Sequence, residues 1–249
     1  MLHNHFDEQI GTHALFYIVS RPLYSYTGDL PCAICQTRKP RRYCLGVREE
    51  ICSVCCGTER EQTIDCPLEC EYLHEAHRRE KGQDPNPATM PNPDVRVTEQ
   101  FLEDNQVLLA FIAVTLFEAW LETRDANDWD MRAAFDSLTR TYRSLESGIY
   151  YESRPDNVFA ARIVGHVQEK IAEVRAKETK ERGVSSIRDA AVLGVLVFLQ
   201  RIEFAQNNGR KRSRAFLDFL RGFYLPSGRE PIEPEAENDA PPEPPRIIL

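Results

Sequence analysis

Two residues separate Cys32 from Cys35 and Cys52 from Cys55, with 16 residues between the two pairs. Two cysteines at that spacing can seat both sulfurs on one ion through a tight turn, and two such turns complete a tetrahedral thiolate set. The separation lies in the range of zinc ribbons. A second constellation follows in Cys66, Cys70, His74 and His77. If Pro67 opens a helix, as its fixed φ favours, Cys66, Cys70 and His74 repeat every four residues and His77 follows three later. One helix face would then carry all four ligands. Cys44 and Cys56 are further thiols able to complete the second set. Ten candidate ligands exceed the eight that two tetrahedral ions need. Two zinc ions are therefore expected, and the spacing leaves their pairing open, sequential or interleaved.

Structural metal is the expected role. A segment of about fifty residues with few large apolar side chains cannot build a core unaided, and metal binding would supply that stability. Catalytic zinc needs an open coordination position and a nearby base, whereas here thiolates are in excess. An iron–sulfur cluster also takes four cysteines, so an iron–sulfur or thiol-redox protein is one alternative. The two histidines and the regular two-residue spacings favour zinc.

The order of pairs (Cys32 with Cys35, Cys52 with Cys55, Cys66 with Cys70, then His74 with His77) resembles cross-brace zinc modules of the B-box, MYND and HIT-finger kind. The resemblance covers residues 32–77. It implies a module that holds a protein partner.

Elsewhere the chain is less specific. His166 and Glu169 lie three apart, but a carboxylate-bridged di-metal centre needs two Glu-x-x-His motifs and further carboxylates. A hydrogen-bonded, partly buried histidine is the expectation. Trp120, Trp129, Tyr142, Tyr150 and Tyr151 are read as core and helix-contact residues before pocket residues. No phosphate-binding glycine loop, nucleophile elbow or kinase signature is present, and a non-enzyme is expected. Arg210, Lys211, Arg212 and Arg214 open the last expected helix, the end at which cations oppose the helix dipole. They call for a counter-ion. A solvated loop is the plain reading, and an anion site for phosphate or an acidic partner the sharper one. The chain's own acidic tail is a third source of counter-charge. A smaller basic cluster, Arg38, Lys39, Arg41 and Arg42, lies between the cysteine pairs.

These groups need elements to position them. The chain has 249 residues, a net charge of −8 and a pI near 5.4. That balance argues against non-specific coating of nucleic acid or anionic membrane. All eight cysteines fall between Cys32 and Cys70. Residues 1–29 read as a lead with a possible strand at Ala14–Val19, which lacks the basic flank of a signal peptide. Residues 30–80 form the Cys/His module and residues 81–97 a proline-rich linker. Residues 98–225 read as an all-α bundle of about five helices, and residues 226–249 as a disordered acidic, proline-rich tail. The first helix is expected from Thr98 to about Thr123, apolar on every face between Val107 and Phe117 and therefore central. The others are expected at Trp129–Glu146, from Asp156 to Gly183, from Ser185 or Ser186 past Ile202, and at Ser213–Phe223. No run reaches the roughly 18 apolar residues of a membrane span. The combined expectation is a cytoplasmic zinc-binding adaptor or regulator: a small zinc module of little regular structure followed by the bundle. A zinc-dependent nucleic-acid binder using the arginine-rich segments is the rival reading. The oligomeric state is left open.

Overall fold

Closely spaced cysteines leave room for only short elements in residues 30–80. Strands β1 (Arg42–Cys44) and β2 (Glu49–Ile51) pair antiparallel, with Arg42 opposite Ile51 and Cys44 opposite Glu49. Their connection is tight: the Arg48 N–H donates to the Cys44 carbonyl at 2.6 Å, with Arg48 at φ 62°. Gly46 lies so close to the segment before Cys66 that a Cβ there would stand 2.6 Å from the Asp65 carbonyl oxygen. Two helices follow, α1 (Ser53–Glu59) and α2 (Glu71–Arg79). Helix α2 starts after Cys70, its N-cap, so Pro67 does not open a helix and Cys66 lies ahead of the turn that precedes α2.

The computed structural model describes residues 30–80, 89–123 and 125–224, and is mostly helical. Beyond α2 the helices are α3 (Glu99–Asp104), α4 (Gln106–Thr123), α5 (Asp128–Glu146), α6 (Val158–Arg182), α7 (Asp189–Gln206) and α8 (Ala215–Tyr224). Local chemistry explains their limits. Thr98 Oγ1 accepts from the Phe101 N–H at 3.1 Å and starts α3. Asn127 and Asp130 form a reciprocal capping box on α5. Gly183, at φ 76°, ends α6 in the left-handed conformation that glycine adopts without a Cβ penalty. The expected helix from Thr98 to Thr123 is two helices. At Asn105 the backbone leaves the helical region, and the side chain donates to the Phe101 carbonyl at 2.8 Å.

Helix α5 lies along α7 and α6, α4 lies along α6, and α8 closes against α4, α5 and α7. Ile112, Leu116, Met131, Phe135, Leu138, Ile163, Leu196 and Phe216 are fully buried between them. Each such side chain contributes about 1.5–3 kcal/mol by leaving water. Helix α7 is buried through Val192–Leu199 as its sequence suggests, apart from half-buried Phe198. Gly194 admits the Phe101 ring of α3, whose nearest carbon would stand 2.4 Å from an added Cβ.

Helix α4 departs from expectation. Its apolar run is buried only from Ile112 onward, and Val107 is 78% exposed. By length and composition α4 is apolar enough to cross a membrane. Its Ile112–Trp120 portion, however, packs into the bundle. Residues 89–97 of the expected linker are held on the bundle, since the Arg201 guanidinium donates to the carbonyls of Pro91, Asn92 and Val95. The expected strand at Ala14–Val19, residues 81–88 and the acidic tail 226–249 lie outside the described residues.

Candidate metal centre

The two-residue spacings produce the geometry they imply. The sulfurs of Cys32, Cys35, Cys52 and Cys55 all lie within 4.8 Å of one another, a group that could hold a metal ion. Cys32 and Cys35 sit on a tight turn in which the Gln36 N–H donates to the Cys32 carbonyl at 2.7 Å, with Gln36 at φ 52°. The β-hairpin carries this turn, because the Ala33 N–H donates to the Glu50 carbonyl at 3.0 Å. Cys52 is the N-cap of α1, its sulfur accepting from the Cys55 N–H at 3.4 Å. The two turns meet where the Cys52 N–H donates to the Cys32 sulfur at 3.2 Å.

Electrostatics in the group are divided. Burial raises the Cys32 pKa, but backbone N–H groups from Cys35, Cys52 and Ile34 outweigh it and lower the thiol to about 6. Backbone N–H groups of Arg38 and Thr37 lower Cys35. Burial and the neighbouring sulfurs push Cys55 up to about 12. Like charges so close cannot all persist alone, and a divalent cation would let four thiolates share the site. The Arg38 guanidinium stands against the sulfurs of Cys52 and Cys35, which raise its own pKa. Its charge offsets part of the excess negative charge that four thiolates leave around a divalent ion.

The second expected set does not form as the sequence suggested. Cys66, Cys70, His74 and His77 are not gathered as a metal-holding group among the described residues. The reason is that both histidines face α8. His77 Nδ1 lies 2.9 Å from an Asp218 oxygen, and its Nε2 lies 3.1 Å from Glu61 Oε2. His74 Nδ1 also reaches Asp218, at 2.7 Å. Burial alone would lower the His77 pKa, but Asp218 and Glu61 outweigh it and raise the imidazole to about 9. At neutral pH it is a cation donating from both nitrogens, which is the opposite of what a metal ligand must offer. Against burial, contact with His77 also holds Glu61 and Asp218 below the usual carboxylate range.

Glu61, fully buried, is the hub of this junction. It accepts from the Arg214 backbone N–H at 2.6 Å and from the Asn208 side chain at 2.8 Å, and its carbonyl accepts from the Arg212 N–H. Glu61, His77 and Glu80 lie close enough together to invite a cation. The cations there belong to the chain: Glu80 pairs with Arg60 at 2.7 Å and with Arg210 at 3.6 Å, beside the His77 imidazolium.

The basic run is placed by this junction. Arg210 donates to the carbonyls of Gly57 and Arg60. Buried Arg214 bridges the Cys66 carbonyl at 2.8 Å and Asp65 at 2.9 Å. These two arginines are turned to the cysteine-bearing segment, and the solvated-loop reading is corrected for them. Lys211 and Arg212 remain exposed beside Gln62, Asp65 and Asp125. The opposed start of α8 is met by Asp128, which accepts from Ser213 Oγ at 2.6 Å and from the Phe216 and Leu217 N–H groups. Sequence reading missed Glu61, Asp128 and Asp218. Its one pointer was the demand of the arginine run for a counter-ion.

The remaining candidates are structural. His166 pairs with Glu122 at 3.0 Å. Trp120 is buried and donates to the Ala126 carbonyl at 2.9 Å, and Trp129 donates to the Arg210 carbonyl at 2.8 Å. Buried Tyr142 and exposed Tyr150 and Tyr151 line a cleft of about 270 Å³. A larger cleft, about 400 Å³, runs between α4, α6 and α7 along Val107, Phe111, Val174 and Ile187. Its Glu178 is bound to Ser185 and Ser186, which lower its pKa to about 2. A carboxylate held that low is a poor proton acceptor at neutral pH. Compared with protein-family models, curated proteins and solved structures, the chain finds no match.

Proposed function

We propose that this chain is a non-enzymatic zinc-binding adaptor or regulator that works in a reducing compartment such as the cytoplasm. Zinc at Cys32, Cys35, Cys52 and Cys55 folds a module whose outer face holds a protein partner, and the helical bundle is its mount. A second zinc ion belongs to the same module. The observation that carries the reading is the four-thiol group: its sulfurs would fill all four positions of a tetrahedral ion and leave none for substrate. The neighbouring polar group is a guanidinium, Arg38, which cannot act as a general base. Eight free thiols in one short segment fit a reducing compartment.

Support for a protein partner comes from the module's surface. Tyr43, Leu45 and Val54 are each about half exposed, and Leu30 is more so. Aromatic and aliphatic side chains of that kind are the anchors of protein interfaces. The test joins two measurements on the purified full chain. Elemental analysis with thiol titration should find zinc and thiols masked until chelation, whereas iron with acid-labile sulfide would establish the redox alternative. Cross-linking in cell extract should then capture a partner with the native chain and lose it with Tyr43→Ser plus Leu45→Ser. Equal capture by both would refute the assigned face.

A further inference from the structure

Four cysteines remain after the first group: Cys44, Cys56, Cys66 and Cys70. They come from four different places, the end of β1, the middle of α1, the stretch between α1 and α2 and the N-cap of α2. Resting on the zinc reading above, we propose that these four thiols form a second, interleaved tetrathiolate metal site, and that His74 and His77 take no part in it.

Several independent contacts bring the four together. Arg42 and Cys44 are two apart on β1 and so share one face of the strand. The Arg42 side chain lies 3.6 Å from the Cys56 sulfur and 4.1 Å from the centre of the Tyr72 ring, two residues beyond Cys70. Gly46 presses on Ile64 and Asp65, which seats the loop after Cys44 against the approach to Cys66. Cys66 also lies close enough to Cys44 and Cys70 for their charges to act on it. Exposure matches the first group: Cys44, Cys56 and Cys66 are buried and Cys70 is intermediate, as Cys32, Cys52 and Cys55 are buried and Cys35 is intermediate.

Two further features fit metal binding by both groups. Cys55 and Cys56 are adjacent on α1, where successive side chains turn by roughly 100°. One sulfur therefore faces the first group while the next faces the second. Each group also has its own guanidinium, Arg38 at the first and Arg42 at the second. Binding one divalent ion to four thiols releases four protons and leaves two excess negative charges, which such a cation offsets. No three of the second group's sulfurs lie within 4.8 Å of one another, so this group is more open than the first and must close further on its ion.

X-ray absorption at the zinc edge on the zinc-loaded full chain tests this without any substitution. The expected result is two zinc ions per chain with about four sulfurs each at about 2.3 Å and no imidazole scattering. Cys66→Ser with Cys70→Ser should then lower the content from two zinc to one, while His74→Gln with His77→Gln leaves it at two. Imidazole in the shell, averaging about one nitrogen per zinc, would overturn the assignment in favour of Cys66, Cys70, His74 and His77. One zinc per chain, lost with Cys52→Ser, would overturn the second site while leaving the first intact. Absence of zinc altogether would remove both.

Discussion

The cysteine-bearing segment and the helical bundle solve the problem of a stable interior in opposite ways. In the bundle, Phe135, Met131, Leu138, Leu196 and Phe216 are fully buried, with the Phe135 and Phe216 rings in edge contact. In residues 30–80, six of the eight cysteines are buried, with Ile51, Ile64, Leu68 and Leu73 as their main apolar company. So small an apolar set cannot offset the chain entropy of the segment, which must draw on metal and on its attachment to α8. The junction is accordingly polar and charged: Glu61, His77 and Asp218 lie at its centre, ringed by Arg60, Arg210, Arg214 and Arg221. The bundle rests mainly on buried apolar area, whereas the cysteine-bearing segment relies on charge pairing at its junction and, on the proposed reading, on ligation.

Metal removal breaks this contrast most strongly. A structural zinc ion contributes on the order of 10 kcal/mol to a small module. Chelation should therefore unfold residues 30–80 and expose Glu61 and Leu73, while the α4–α7 helices persist. Circular dichroism should retain most of its helical signal as limited proteolysis moves into residues 30–80; loss of both together would show that the bundle depends on the module. Next in size is the reverse perturbation. Phe135→Ala removes a fully buried ring packed at 5.8 Å against Phe216, and should cost about 3–5 kcal/mol in denaturant unfolding without lowering zinc content.

The junction sharpens the comparison through pH. The folded His77 pKa of about 9 stands above its ordinary 6.5. Its contribution is therefore complete below pH 6.5 and fades as pH rises through 9. The size follows from linkage at roughly 3 kcal/mol. The stability gap between the native chain and His77→Gln should shrink steadily from pH 6.5 to 9.5, and a gap independent of pH would mean that His77 is not protonated there. The smallest effect expected is at Tyr150, 87% exposed. Tyr150→Ser should change stability by less than about 0.5 kcal/mol.

Much of the helical half was legible because its signals are local. Asn127 and Asp130 cap α5, Gly183 closes α6, and the apolar run Val192–Leu199 is buried as it reads. The break at Asn105, where the side chain turns back onto the Phe101 carbonyl, was not read from the sequence, and neither was the seat of Phe101 against Gly194, 93 positions away. The exposed start of α4 was missed for a related reason: composition says that a helix is apolar all round, not how far its neighbours extend along it.

By itself the sequence marked which residues could do metal chemistry and left their pairing open; the structure gathers Cys32, Cys35, Cys52 and Cys55 into one group. Two short cysteine pairs fold into turns whatever surrounds them, and one strand pairing brings the turns together. Only the tertiary structure decided the fate of His74, His77, Arg210 and Arg214. Spacing along a helix places two histidines on one face equally well for an ion or for an acidic neighbour. Asp218 and Glu61 are that neighbour, and they lie 141 and 16 residues from His77 in the chain. The charge that meets a side chain across an interface is set by packing, and local sequence carries no record of it.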